Sequence, residues 1–217
     1  MRSFIQRHLD PASRLGEVLF GLIMALGFTG AARLGYEAAD NRTLFLAILG
    51  CNVAWAIVDG VMYALTELFE RGRRTRLGRE VRAAPSQAAA LRLIDAELGD
   101  WMAPLLSDAE RAAIYHHVLG AARRSELPPA RVRSADLLGA AAVALSIVVA
   151  TLPILVPFLV VANDELAARL SNGIALLMLF LLGHWWGRTV GGRPWLAAVA
   201  LTLLGMLMVA ITIRLGG

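Results

Sequence analysis

Five apolar runs, each long enough to cross a bilayer, constrain this chain more than any other feature. The hydrocarbon core of a membrane is about 30 Å thick and a helix rises about 1.5 Å per residue, so roughly 20 apolar residues span it. Such runs lie near residues 15–36, 43–68, 134–162, 168–190 and 194–215. Inside lipid the backbone has no water to bond, and only a helix satisfies its donors and acceptors within one segment. The expected fold class is therefore an all-α integral membrane protein with five transmembrane helices. Composition points the same way: 58% of the residues are apolar and 18% charged, more apolar side chain than a soluble core of 217 residues hides. Residues 1–14 carry Asp10, Pro11 and scattered charge where a cleavable signal needs an apolar core, so the N-terminus is expected to be retained.

Between the second and third runs the chemistry changes to Arg, Asp, Glu and Ala, which places that stretch in water. The organisation expected is residues 1–69 with the first two membrane helices, 70–133 as a cytoplasmic helical insert, and 134–217 with the last three helices. Within the insert Leu91, Ile94, Leu98 and Met102 recur at helical spacing. A second helical run, 109–122, follows Ser107, an N-cap whose capping box is completed by Glu110. Pro85 and the Pro128-Pro129 pair bracket the two helices.

Every basic residue is arginine, and arginines near membrane ends stay on the cytoplasmic side. With five spans, Arg2, Arg7, Arg14, the many arginines flanking the insert, Arg188 and Arg193 share one face. Only Arg33, Arg42, Arg169 and Arg214 fall on the other. A multi-pass protein of the plasma membrane is expected, with the N-terminus and the insert cytoplasmic and the C-terminus outside. The arginine cluster over residues 71–82 reads as anchoring to anionic lipid headgroups rather than as a nucleic-acid surface. The single cysteine, Cys51, excludes an internal disulfide and reads as a thiol packed in a helix.

Chemistry is to be sought among polar groups at membrane depth, because an ionisable side chain there costs roughly 3 kcal/mol or more. Asp59 is the foremost candidate: it lies well inside the second run with no arginine within a helical turn. Asn52, Asp59, Met62, Tyr63 and Thr66 fall along one broad helical stripe, with Cys51 and Trp55 beside it. Carboxylate, amide and thioether together suit a borderline-soft divalent ion such as Fe²⁺ or Mn²⁺ better than Ca²⁺. The competing reading is an Asp59 that is protonated, or hydrogen-bonded to a neighbouring helix and structural.

Glu17 and, two turns deeper, Met24 share a face of the first run. Glu17 also suits a snorkelling or Arg14-paired residue, and Met24 a core filler. The candidate metal ligands are thus Asp59, Met62, Asn52, Glu17 and Met24. Pro153 and Pro157 remove backbone donors from the third run, a feature of pathway-lining helices and of membrane helices generally. His184 with Trp185 and Trp186 reads as an interfacial belt. Glu37, Asp40, Asp164 and Glu165 make the outer connections acidic, which concentrates cations there. No nucleophile and base set, phosphate loop or zinc motif occurs, so no catalytic residue, no tightly bound cofactor and no enzymatic function are expected.

The string Glu17-Val18-Leu19-Phe20-Gly21-Leu22 resembles the opening of the first helix in the vacuolar iron transporter family. The layout is similar too: five spans, an insert after the second, and a proline-bearing third. The resemblance implies a dimeric transporter of a divalent transition metal ion, Fe²⁺ or Mn²⁺, with proton coupling through a buried carboxylate. A small-residue row of Gly27, Ala31 and Gly35 on the first run is compatible with the homodimer. Three departures stand out. The family's Asn-Asp-Gly in the first helix is replaced by Ile23-Met24-Ala25, and Asp59-Gly60 stands in the second span where the family shows Gly-Glu-Tyr. The family's metal-binding, Glu-rich insert is represented here by Glu97, Asp100, Asp108, Glu110, His116 and His117 dispersed among arginines, which reads as a solvated helix face. Two function classes follow: a divalent-metal transporter, or a related membrane protein without metal transport that serves as a structural or regulatory partner or as a channel for another ion.

Overall fold

The computed structural model describes residues 11–32, 40–124, 126, 127 and 129–214, with only the backbone described at residues 11–15, 17, 28–32, 209, 212 and 213. Among the described residues there are seven α-helices and no strand. They are α1 (Pro11–Ala32), α2 (Asn41–Ala83), α3 (Gln87–Met102), α4 (Asp108–Arg124), α5 (Ser134–Val160), α6 (Asp164–Thr189) and α7 (Pro194–Arg214). By length and composition α2, α5 and α6 can each cross a bilayer. In α1 and α7, of 22 and 21 residues, the described apolar stretches are the shorter Val18–Gly27 and Pro194–Met208.

The helix ends are written in the sequence. Asp40 accepts from the Thr43 amide at 2.8 Å and Asn163 from the Leu166 amide at 2.8 Å, which satisfies amide donors that have no intrahelical partner. Asp136 puts a carboxylate in the first turn of α5, where the helix dipole favours it. Between α6 and α7, Gly191 takes φ 70°, a left-handed conformation that a side chain resists, and the Gly192 amide closes back on the Gly187 carbonyl at 2.9 Å. Pro194 then opens α7, where a missing amide proton costs nothing.

The chain divides into two compact units, Met1–Tyr63 with Ser134–Gly217, and Ala64–Arg133. In the first, α1 packs on α5, α6 and α7, and α6 packs on α5 and α7. Leu22 and Leu26 of α1, Ile48 of α2, Ile154 and Leu155 of α5 and Leu179 of α6 share one core. The α6–α7 pair meets backbone to backbone. A Cβ on Gly183 would stand 2.6 Å from the Ala197 carbonyl oxygen, and one on Gly187 would stand 2.7 Å from the Pro194 Cα. Small residues at such crossings let dispersion act between main chains, which matters where lipid removes the hydrophobic drive. α5 continues unbroken through Pro153 and Pro157.

α2 buries one straight row, Leu44, Ile48, Asn52, Ala56 and Gly60, each four residues on from the last. Along it Ala56 clusters with Val143 and Ile147 of α5, Gly60 abuts Ala140, and the Tyr63 ring lies on Gly139. As numbers rise on α2 they fall on α5, so the two helices run antiparallel. The start of α2 is tied to the α5–α6 connection: the Asn41 side chain donates to the Val161 carbonyl at 2.6 Å, and the Asn41 amide donates to Asp164 at 3.1 Å.

In the second unit α2 continues through the arginine cluster and stops at Ala83, just before Pro85, whose ring disfavours helix in the preceding residue. Ser86 caps α3 by accepting from the Ala89 amide at 3.2 Å. At α4 the capping box forms: Glu110 accepts from the Ser107 amide at 2.9 Å and hydroxyl at 2.6 Å, while Ser107 accepts from the Glu110 amide at 3.4 Å. Val81, Ile94, Met102, Tyr115 and Leu119 form its core. Arginines of the cluster fasten this unit from within. Arg73 Nε donates to Glu97 at 2.8 Å, Arg82 Nε to the Ala122 carbonyl at 2.6 Å, and Arg71 to the Arg131 carbonyl.

Candidate functional site

The deepest polar side chain on α2 is Asn52, which is 0% exposed. Its Nδ2 donates to the Ile48 carbonyl one turn back at 2.9 Å, a bond that only the nitrogen can make, so the orientation of the amide is fixed. Its Oδ1 is left buried without a hydrogen-bond partner. That oxygen points at Gly21 of α1, where a Cβ would stand 3.0 Å from it, 3.7 Å from Ile147 Cγ2 and 4.0 Å from Thr151 Oγ1. Thr151 of α5 is 1% exposed and gives its own hydroxyl proton to the Ile147 carbonyl at 2.9 Å. Three helices therefore meet at a close polar contact, which a side chain at Gly21 would crowd.

Asp59 is half-buried and sits at the edge of the α2–α5 seam, next to Gly60 of the buried row. Seven residues separate it from Asn52, about 10 Å along the helix. One turn before Asp59, Trp55 packs on Phe20 of α1 with ring centroids 5.6 Å apart, closing the α1 side of the same region.

The other sequence candidates are placed differently. Met24 is half-buried on α1, one turn beyond Gly21. Met62 is 54% exposed and Thr66 is also exposed, so neither is brought to Asn52. Met62 leaves the helix roughly 160° round from Gly60, at 100° per residue, and the row that faces α5 does not include it. The side chain of Glu17 lies outside the described residues, as do Gly35 and Glu37. His184 packs edge-on against Trp195 at 5.2 Å, beside the exposed Trp185 and Trp186.

At the start of α2 two acidic residues come together around Asn41, with Asp164 on its amide and Asp40 capping the helix. Glu165 is paired with Arg169 within α6. In the insert His116 Nδ1 lies 3.2 Å from Gln87 Nε2, and the Tyr115 hydroxyl donates to Asp95 at 2.8 Å. Among the described residues no three His, Cys, Asp or Glu side chains gather as a metal cluster.

Sequence reasoning missed Thr151 and Asp136. Asp136 is 5% exposed at the start of α5, one turn before the Gly139 and Ala140 contacts with α2. A carboxylate in a helix's first turn is read as a dipole partner, and no sequence spacing announces its burial. Thr151 is a single hydroxyl in an apolar run, and only the fold brings it towards Asn52.

The VIT family profile matches residues 66–217, well over half of the chain. The chain belongs to the VIT family. It is accordingly a helical membrane protein of a transporter family, and its function class is the movement of metal ions across a membrane. No curated protein matches it. The VIT match takes in Asp136 and Thr151 and begins after Asn52, Asp59 and Met62. The residues of α1 and of α2 before residue 66 lie outside that match.

Proposed function

We propose that the protein carries a divalent transition metal ion, Fe²⁺ or Mn²⁺, across the plasma membrane, coupled to protons. Asp59 meets the charge of the ion and Asn52 contributes a neutral oxygen from deeper in the bundle. The observation that carries this reading is the seam itself. In a VIT-family chain, a half-buried carboxylate and a fully buried unmatched amide oxygen lie along the packed side of one membrane helix. A buried carboxylate in lipid is costly in its charged form, so metal and proton compete for it, which is the basis of exchange. Met24 and Glu17 on α1 are further ligand candidates. Met62 joins the site only where a second copy covers the outward side of α2, which is one reason to propose a homodimer.

The topology proposed is five spans, with α1 and α7 completing the set, the insert cytoplasmic and the C-terminus outside. The acidic residues around Asn41 then stand at the outer mouth and raise the local cation concentration. Uptake of Fe²⁺, Mn²⁺, Co²⁺ and Zn²⁺ into proteoliposomes under an imposed pH gradient tests the proposal. Uptake of Fe²⁺ or Mn²⁺ that follows the gradient supports it. A flat response to all four ions overturns it and favours a VIT-like protein without metal transport, the reading to which the Ile23-Met24-Ala25 replacement in α1 points.

A further inference from the structure

We infer that the turn between α3 and α4, through Trp101 and Leu105, docks together with Phe69 of α2 into the bilayer surface beside the membrane end of α2. The inference goes beyond the transport reading and holds whichever ion is moved. It begins with one bond. Arg73 of α2 donates from Nε to Glu97 of α3 at 2.8 Å, and the two residues lie equally far from the connection between Ala83 and Gln87. α3 therefore runs back along α2, which also brings Val81 into one core with Ala90 and Ile94.

Phe69 precedes Arg73 by four residues and Trp101 follows Glu97 by four, so each stands one helical turn beyond that bond, on the same side of its helix as the bonded residue. Both helices deliver an aromatic ring to one level. That level is the end of the apolar run of α2, residues 43–68, where the helix leaves the hydrocarbon. Phe69 is 74% exposed, Trp101 72% and Leu105 69%. Ala103 and Pro104 are exposed as well, while Met102 turns inward to the core of this unit.

A contiguous exposed apolar patch at the tip of an arginine-rich segment marks an interaction surface. Three features assign this one to lipid. Tryptophan favours the boundary between hydrocarbon and headgroups. The patch continues the apolar surface of a membrane helix, so the bilayer is always within reach. Four helical residues rise about 6 Å, close to the roughly 5–7 Å depth of the headgroup layer in one leaflet. With the rings at the hydrocarbon boundary, Arg73, Arg74 and Arg76 of α2 stand among or just above the phosphates, where anionic headgroups meet positive charge. Asp100, one residue before Trp101, leaves α3 about 100° round from it, so the carboxylate does not follow the ring into lipid.

Depth-dependent quenching in the full chain tests this. In a Cys51→Ala background, Ala103→Cys carries an environment-sensitive fluorophore, and the protein is reconstituted in vesicles of phosphatidylcholine and phosphatidylglycerol with nitroxide-labelled lipid. The label at Ala103→Cys is expected to emit at shorter wavelength than one at Ala88→Cys, at the far end of α3. Nitroxides at the top of the acyl chains are expected to quench the first label and not the second. Trp101→Ser with Leu105→Ser is expected to abolish that quenching, since both side chains are exposed and the core of Ile94, Met102 and Tyr115 stays in place. If this double variant fails to fold, the contrast between the two labels decides. An unquenched label at Ala103→Cys, equal quenching of both labels, or quenching that survives in a folded double variant overturns the docking. Disulfide-linked dimers of unlabelled Ala103→Cys, with no lipid quenching of the labelled protein, overturn it too and assign the face to a second copy.

Discussion

Gly60 of α2 lies so close to Ala140 of α5 that a Cβ on it would stand 2.9 Å from the Ala140 carbonyl oxygen. The opposing group is backbone and cannot swing aside. Gly60→Ala is therefore expected to push α2 off α5 and to cost about 1–3 kcal/mol, the usual range for overpacking. The apparent melting temperature in mild detergent reads this. Gly50→Ala is the control, since nothing lies within 4 Å of its added Cβ and alanine favours the helix. Equal melting temperatures for the two variants refute the close contact.

Asp59→Asn keeps the size and hydrogen-bonding capacity of the side chain and removes its charge. Metal flux is expected to fall by roughly tenfold or more, and what remains to lose its dependence on the pH gradient, because the group on which metal and proton compete is gone. Uptake assays at several external pH values check this. Full flux with an unchanged pH profile makes Asp59 a structural residue.

Met62 is 54% exposed in the single chain, so its role depends on a partner. In a Cys51→Ala background, Met62→Cys in membranes is expected to give a disulfide-linked dimer under mild oxidation. A dimer seen by mass measurement without any such cross-link removes Met62 from the proposed site. In a separate assay, Met62→Leu is expected to reduce the preference for Fe²⁺ over harder ions, since a thioether favours softer metals.

The Ser107 hydroxyl, and after it the Ser107 amide, hold the Glu110 carboxyl below the usual carboxylate range. A carboxylate whose folded pKa lies below its unfolded value adds stability that is present above the unfolded value. That stability is lost as pH falls through the folded value. The first turn of α4 is thus expected to lose amide-exchange protection as pH drops below about 4, where free carboxylates protonate. Glu110→Ala, which removes the acceptor, is expected to show that loss already at neutral pH. Identical exchange in wild type and variant contradicts the capping role.

Ala88 is exposed at the start of α3 and makes a clean labelling site. Ala88→Cys in a Cys51→Ala background is expected to react with an impermeant thiol reagent only from the cytoplasmic side. Reaction from outside intact cells reverses the proposed topology.

The helical character of the chain was legible in its hydrophobic runs, because length and apolarity alone set what a bilayer allows. Local signals went further in the segment after α2. The periodic residues Leu91, Ile94, Leu98 and Met102 lie in α3, and Ser107 with Glu110 caps α4. Those bonds join residues three positions apart, so the sequence contains both partners. The arginine cluster was less transparent: its charge suggested headgroups, while Arg73 and Arg82 also bind Glu97 and the Ala122 carbonyl, partners set by how α3 and α4 fold back.

The candidate site divides along the same line. Sequence by itself determined that Asn52, Asp59 and Met62 are polar or soft groups on one membrane helix within a broad stripe. It could not say which part of that stripe α5 covers, because a neighbouring helix packs on a narrow row of positions and its place depends on the whole bundle. The tertiary structure buries Asn52, leaves Met62 outside, and sets Gly21 and Thr151 around the amide oxygen. Gly21, Asn52 and Thr151 are far apart in the chain and carry no common spacing. Their meeting is decided by where α1 and α5 have residues small enough for the helices to close on α2.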